Sequence, residues 1–151
     1  YLFNYYNRVT RPMRAIDAAA TWNYTSTTIR QANTNADNQL NFFVGIVDQA
    51  LGAQVNAFFT SLTGTGQAQV GIGLNSTAAF SVDCMNTVGR GPGVANVGSV
   101  LTATYCGYPT LGNNYLAWLE ASQAISTSTF WGTNTSGGLI SVSGISGTIN
   151  C

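Results

Sequence analysis

The stretch from Thr27 to Leu62 constrains the fold of this chain more than any other. Ile29, Ala32, Ala36, Leu40, Phe43, Val47, Ala50, Val55, Phe58 and Leu62 recur every three or four positions, the spacing that draws one apolar stripe down a helix. Such a helix would run roughly 50 Å at 1.5 Å per residue. Phe42, Val44, Ile46, Leu51 and Phe59 widen the stripe, so neighbours would cover it on more than one side. The pattern predicts a core helix with the other elements folded round it.

The flanking segments extend this expectation. Pro12 is suited to the first turn of a short helix reaching about Trp22, because a missing N–H costs nothing there. Thr25, Ser26, Thr27 and Thr28 offer N-caps for the long helix. After Leu62, Thr63-Gly64-Thr65-Gly66 reads as a stop. Residues 68–105 fit two patterns: Val70, Ile72 and Leu74 alternate as in a strand, whereas Val70, Leu74, Ala78, Val82 and Met85 make a helical stripe. Ala78 and Ala79 tilt 76–85 toward helix, Gly89 to Gly93 reads as a loop, and Leu111, Tyr115, Trp118, Leu119 and Ile125 predict another helix. From Ser126 the chain turns rich in Gly, Ser and Thr, a β-prone or irregular tail.

The expected fold is therefore mainly α, a single domain built as a helical hairpin or bundle around one long helix at about 27–62. An aromatic and basic segment (1–26) precedes it, a loop-rich region (63–125) follows, and the β-like or irregular tail (126–151) ends the chain. A long helix ahead of a smaller cysteine-bearing region resembles the general plan of pilins. The first 25 residues carry three arginines and no unbroken apolar run, so no family follows from it, and no membrane-spanning segment is expected.

Charge restricts function. Only 7% of the 151 residues are charged, against about 25% in an average domain. There is no Lys and no His, and the five Arg balance five acids. Residues 1–30 sum to +3 and the rest to −3, an asymmetry that favours head-to-tail contacts between copies, or a basic segment folded back on its own chain. A near-neutral chain with a polar surface of Asn, Thr, Ser and Gln fits a surface covered by glycans or by other copies. Four arginines without stacking aromatics do not make a nucleic-acid interface.

Catalytic chemistry is poorly served. Without His no Ser-His-Asp or Cys-His pair forms, and without Lys there is no Schiff base or phosphate-binding lysine. Asp37 and Asp48, eleven residues apart on one helix, would stand some 16 Å apart, too far for a glycosidase pair. No metal or cofactor site is expected.

Cys84 and Cys106 flank the Gly-rich loop, and a disulfide between them would close about 22 residues and stabilise by roughly 3 kcal/mol. Cys106–Cys151 is the alternative pairing; otherwise Cys151 is left for a bridge between chains. Sequons at Asn23, Asn75 and Asn134 are candidate glycan sites, though three is about the number that chance supplies. Together these features predict a secreted, non-catalytic structural protein that self-associates into an extracellular fibre, coat or matrix. The expected contacts are Tyr1, Phe3, Tyr5 and Tyr6 at the N-terminus and Phe130 and Trp131 in the tail. The alternative is a secreted helical carrier of a small apolar ligand, with Phe42, Phe43, Phe58 and Phe59 lining a cavity.

Overall fold

Along residues 51–59 the buried positions are Leu51, Ala53, Val55, Ala57 and Phe59, with Gly52, Gln54 and Asn56 exposed between them. That is the period of a strand, in which successive side chains point to opposite faces. The same rule holds over most of the chain. The computed structural model describes residues 9–63, 65–91, 93, 95, 97–136 and 139–150, and its one helical element among these is a 3-10 turn at Ala32–Thr34.

The first strands are β1 (Thr10–Ile16), β2 (Thr21–Tyr24), β3 (Arg30–Gln31), β4 (Gln39–Val44), β5 (Leu51–Ser61), β6 (Gln67–Leu74) and β7 (Cys84–Met85). They are followed by β8 (Thr87–Arg90), β9 (Gly98–Gly107), β10 (Gly112–Ser122), β11 (Ser128–Trp131), β12 (Thr133–Ser136), β13 (Leu139–Val142) and β14 (Gly144–Asn150). Several are pieces of one line. β11 and β14 pair with the same edge of β5, at residues 58–61 and 52–56, so they are two halves of a strand interrupted by the β12–β13 hairpin. β2 and β1 pair with those halves in turn, and β3 and β4 share one edge of β10.

Counted as lines, one sheet runs β1/β2, β11/β14, β5, β9, with β7 added at its margin. The other runs β3/β4, β10, β6, β8. Every pairing is antiparallel. Eight lines in this order make a jelly roll, two sheets packed face to face over a shared core.

The mainly α expectation is overturned throughout. The predicted 27–62 helix is β3, the 3-10 turn, β4 and most of β5. Its stripe residues Phe43, Val47 and Leu62 are exposed, because in extended chain a spacing of three puts residues on opposite faces. The expected helix from Pro12 is β1 and β2, with Pro12 in an outer strand, where a missing N–H is tolerated. The expected helix at 111–125 is β10, and residues 76–85 hold no helix. The tail is extended, yet it is no appendage: β11 and β14 lie between other strands of their sheet. Among the described residues no helix is long and apolar enough to cross a membrane.

Between the sheets, Trp22 stacks on Phe130 at 5.8 Å and meets Trp118 edge-on at 5.6 Å. Burying each such ring contributes about 1.5–3 kcal/mol. β10 is buried on both faces over residues 116–122. Its inner side carries Leu116 and Trp118; its outer side, Ala117 and Leu119, lies opposite Gly73 and Gly71 of β6. The missing Cβ atoms there let Phe80 and the backbone of Ser76 and Ala79 lie directly on the sheet.

The expected disulfide is overturned as well. Cys84 pairs in register with the buried Tyr105 and faces inward, whereas Cys106, the next residue along β9, is exposed on the other face. Both are free thiols.

Candidate functional site

Two loops close the same end of the sandwich. One joins β4 to β5 at residues 45–50; the other joins β9 to β10 at 108–111. They lie side by side because β4 ends against the start of β10, Val44 opposite Gly112, and β9 ends against the start of β5, Gly107 opposite Leu51. Phe43, Ile46, Pro109 and Ile149 line one shallow hollow there. Around it Phe43 is 59% exposed, Tyr108 63% and Leu111 66%, with Ile46 and Val47 also open to solvent. Neighbouring exposed apolar side chains of this size mark an interaction surface more often than chance exposure does.

The sheet edges are differently made. β1 offers Arg11, Pro12 and Arg14, all exposed, and a proline with charges blunts an edge against strand addition. β8, at the margin of the other sheet, is four residues long and ends on the exposed Arg90. Neither of these two edges is thus well made for strand addition.

Inside the opposite half lies a polar junction. The buried Glu120 accepts from Trp22 Nε1 at 2.7 Å, Arg30 Nε at 2.9 Å and the Asn33 backbone N–H at 3.1 Å, and Arg30 Nη2 stands 2.8 Å away. Burial lifts its carboxyl above the ordinary carboxylate range, and the Trp22 and Arg30 donors pull it back. The Arg30 guanidinium also sits 3.7 Å over the Tyr24 ring. Asn33 links this group to a second buried carboxylate, Asp17, through its side-chain amide.

The expected site residues scatter over this frame. Tyr1, Phe3, Tyr5, Tyr6 and Cys151 lie outside the described residues. Phe130 is buried between the sheets, and Trp131 is half-buried against Phe58 with its Nε1–H on Thr60 Oγ1 at 3.3 Å. Asn23 is exposed on β2 and accepts from Thr129 Oγ1. The Asn75 carboxamide is engaged at both ends, donating to Asn114 Oδ1 and accepting from the Tyr115 N–H, each at 2.9 Å. Asn134 falls in β12, its side chain outside the described set. Of the four phenylalanines, Phe42 and Phe59 are core, Phe43 is exposed and Phe58 is half-buried; strand alternation divides them between faces. Asp37 and Asp48 lie in separate loops, before β4 and after it.

The loop end was missed because its residues belong to two segments that the sequence joins only through strand register. No protein-family model matches the chain, and no curated protein matches it.

Proposed function

We propose that the chain is a non-catalytic structural subunit that associates with copies of itself through the loop end of the jelly roll, building a coat or shell. The jelly roll serves capsid domains, lectins and cupins alike, so the fold by itself does not choose. The observation that carries the reading is the apolar cluster of Phe43, Ile46, Val47, Tyr108 and Leu111, exposed at one end of a chain of which only 7% is charged. An isolated soluble domain with so little charge lacks the usual protection against association. Contacts between copies would cover the apolar end and remove that liability.

The free thiols at Cys84 and Cys106 take away one argument for an oxidising compartment, and self-association stands without it. Should the chain be secreted, Asn23 is the sequon best placed for a glycan, since it is exposed on an outer strand.

Light scattering coupled to size exclusion, with negative-stain microscopy, tests the proposal. Wild type is expected as large particles or oligomers, and Ile46→Asp with Leu111→Asp as a folded monomer of 15.9 kDa. Both residues are exposed, so the double variant should keep its melting temperature. A wild-type chain that stays monomeric at every concentration and salt, or a variant that assembles as wild type does, would overturn it.

A further inference from the structure

β10 outruns its neighbour β6. The two pair only over Leu116–Ser122 of β10, so at Gly112–Tyr115 one side of β10 is held by β4 and the other carries no strand. Asn75, the residue after β6, leaves the strand in the left-handed region at φ 52, a conformation that Asn tolerates better than most residues. Its N–H donates to the Tyr115 carbonyl and its Oδ1 accepts from the Tyr115 N–H, each at 2.9 Å. Backbone groups of alternate residues point to the same side of a strand. The N–H and C=O of Asn113, two residues before Tyr115, therefore face the vacant side as well and meet no strand there. A hollow of about 590 Å3 opens at this place, lined by Asn41, Phe42, Asn75, Asn113, Asn114 and Tyr115, within the range of about 300–1,000 Å3 found for small-ligand sites.

The lining divides into side chains that are already engaged and side chains that are not. Asn75 donates to Asn114 Oδ1 at 2.9 Å, and Asn114 donates to the Thr110 and Gly112 carbonyls at 2.6 and 3.0 Å, so these two carboxamides hold the wall in place. The exposed Asn113 carboxamide and the hydroxyl of the half-buried Tyr115 bond to nothing among the described residues. Asn41, exposed across from Tyr115, engages its Oδ1 with Gln39 and keeps its amide hydrogens. Asn41 and Tyr115 form a close pair without mutual backbone bonds, about 4.5 Å apart at Cα; Asn113 stands about 7 Å further along the same face. An aromatic ring flanked at these distances by two unengaged amides, with no charged residue on the lining, has the dimensions and chemistry to hold one hexose. The C–H bonds of a sugar face settle on the negative face of an aromatic ring. A carboxamide offers a donor and an acceptor in one plane, which suits hydroxyls that both give and accept. An anion would find no cation here, and an apolar ligand would leave the amides unpaired. We propose that this hollow binds a neutral saccharide, one pyranose packed on Tyr115 with its hydroxyls on the Asn113 and Asn41 amides and on the vacant Asn113 backbone groups.

Saturation-transfer NMR of the full-length protein with D-glucose, D-galactose, D-mannose and N-acetylglucosamine, beside an array of neutral and sialylated glycans, tests the site. Transfer is expected to the ring C–H protons of at least one of these sugars, with neutral glycans retained in preference to sialylated ones. Asn113→Ala should weaken binding by about three- to tenfold, the worth of one hydrogen bond, at an unchanged melting temperature, since its side chain has no partner to lose. Tyr115→Ala should abolish binding and Tyr115→Phe should keep most of it. The Ile46→Asp, Leu111→Asp variant should bind sugar as wild type does, because neither residue lines the hollow, so that sugar binding and assembly fail independently. No transfer to any of the four sugars and no glycan retained, or binding that survives both Asn113→Ala and Tyr115→Ala, would overturn the site. So would a wild type that binds no sugar but changes particle size on Asn113→Ala, which would give the open edge of β10 to a second copy of the chain.

Discussion

A carboxylate at the centre of an apolar sandwich has to be satisfied bond by bond, and Glu120 shows how. Trp22, Arg30 and Asn33 reach it from three elements, so removing it strands an indole N–H, a backbone N–H and a half-buried guanidinium at once. Breaking a buried pair from one side is expected to lose about 3–5 kcal/mol. Glu120→Ala should therefore unfold at much lower urea than wild type, while Glu120→Gln, which keeps an acceptor for Trp22, should lose clearly less. Equal losses in the two variants would mean that packing, not the polar contacts, decides. The thiols permit a second prediction. Burial raises the Cys84 thiol above its ordinary value and outweighs the opposite pull of the Ile72 N–H, which donates to its sulfur at 3.1 Å, so little reactive thiolate is present near neutral pH. In a Cys151→Ser background without reductant, iodoacetamide followed by mass spectrometry should label the exposed Cys106 first and Cys84 slowly. Labelling that begins only after reduction would restore the disulfide.

At the scale of elements, glycines separate two kinds of strand position. A Cβ on Gly73 would stand 2.3 Å from the Ser76 carbonyl and 2.8 Å from that of Ala79, whereas a Cβ on Gly52 would meet nothing within 4 Å. Backbone atoms do not step aside as a side-chain tip does, so Gly73→Ala should destabilise by about 1–3 kcal/mol. Gly52→Ala should be neutral or stabilise by up to about 1 kcal/mol through the unfolded chain. Chemical denaturation of the pair checks both. Gly73 also explains part of what the sequence concealed. It and Gly71 look like breakers of any element, yet they are where one layer lies on another. The alternation Leu51, Ala53, Val55, Ala57, Phe59 was legible as a strand, and so was that of Val70, Ile72 and Leu74. It was outweighed at 27–62 because a stretch in which half the residues are apolar also contains a subset spaced by three and four. Abundant Asn and Thr, which disfavour helix interiors, were the signal against that subset. Of the candidate surface, Phe43 and Leu111 were visible as apolar residues; their meeting at one end depends on register between β4 and β10, which no local pattern encodes.

For the whole molecule, the order of the lines decides when the fold can exist. β11 and β14, made last, lie between β5 and the outermost line of their sheet. β14 places the wholly buried Ile145 opposite Val55. Most pairings join residues far apart in sequence, such as Thr10 with Asn150 and Gln31 with Leu119, and such topologies fold slowly because loop closure precedes the contacts that reward it. A chain ending at Gln123 would leave one edge of β5 unpaired along its length, free β1 and β2 from their sheet, and expose Phe59 and Trp22, the partners of Phe130. Truncation there should abolish the cooperative unfolding transition and yield aggregate, since long unpaired apolar edges recruit other chains. Replacing residues 133–142 with a short linker should do far less harm to the fold. That hairpin interrupts a line whose ends already meet, the Ser143 N–H donating to the Gly132 carbonyl at 3.1 Å. Circular dichroism melts and sedimentation of the two deletions side by side make the comparison. A truncated chain that melts cooperatively would show that the β5–β9 pair and the second sheet fold by themselves, and that the last line is added to a finished core.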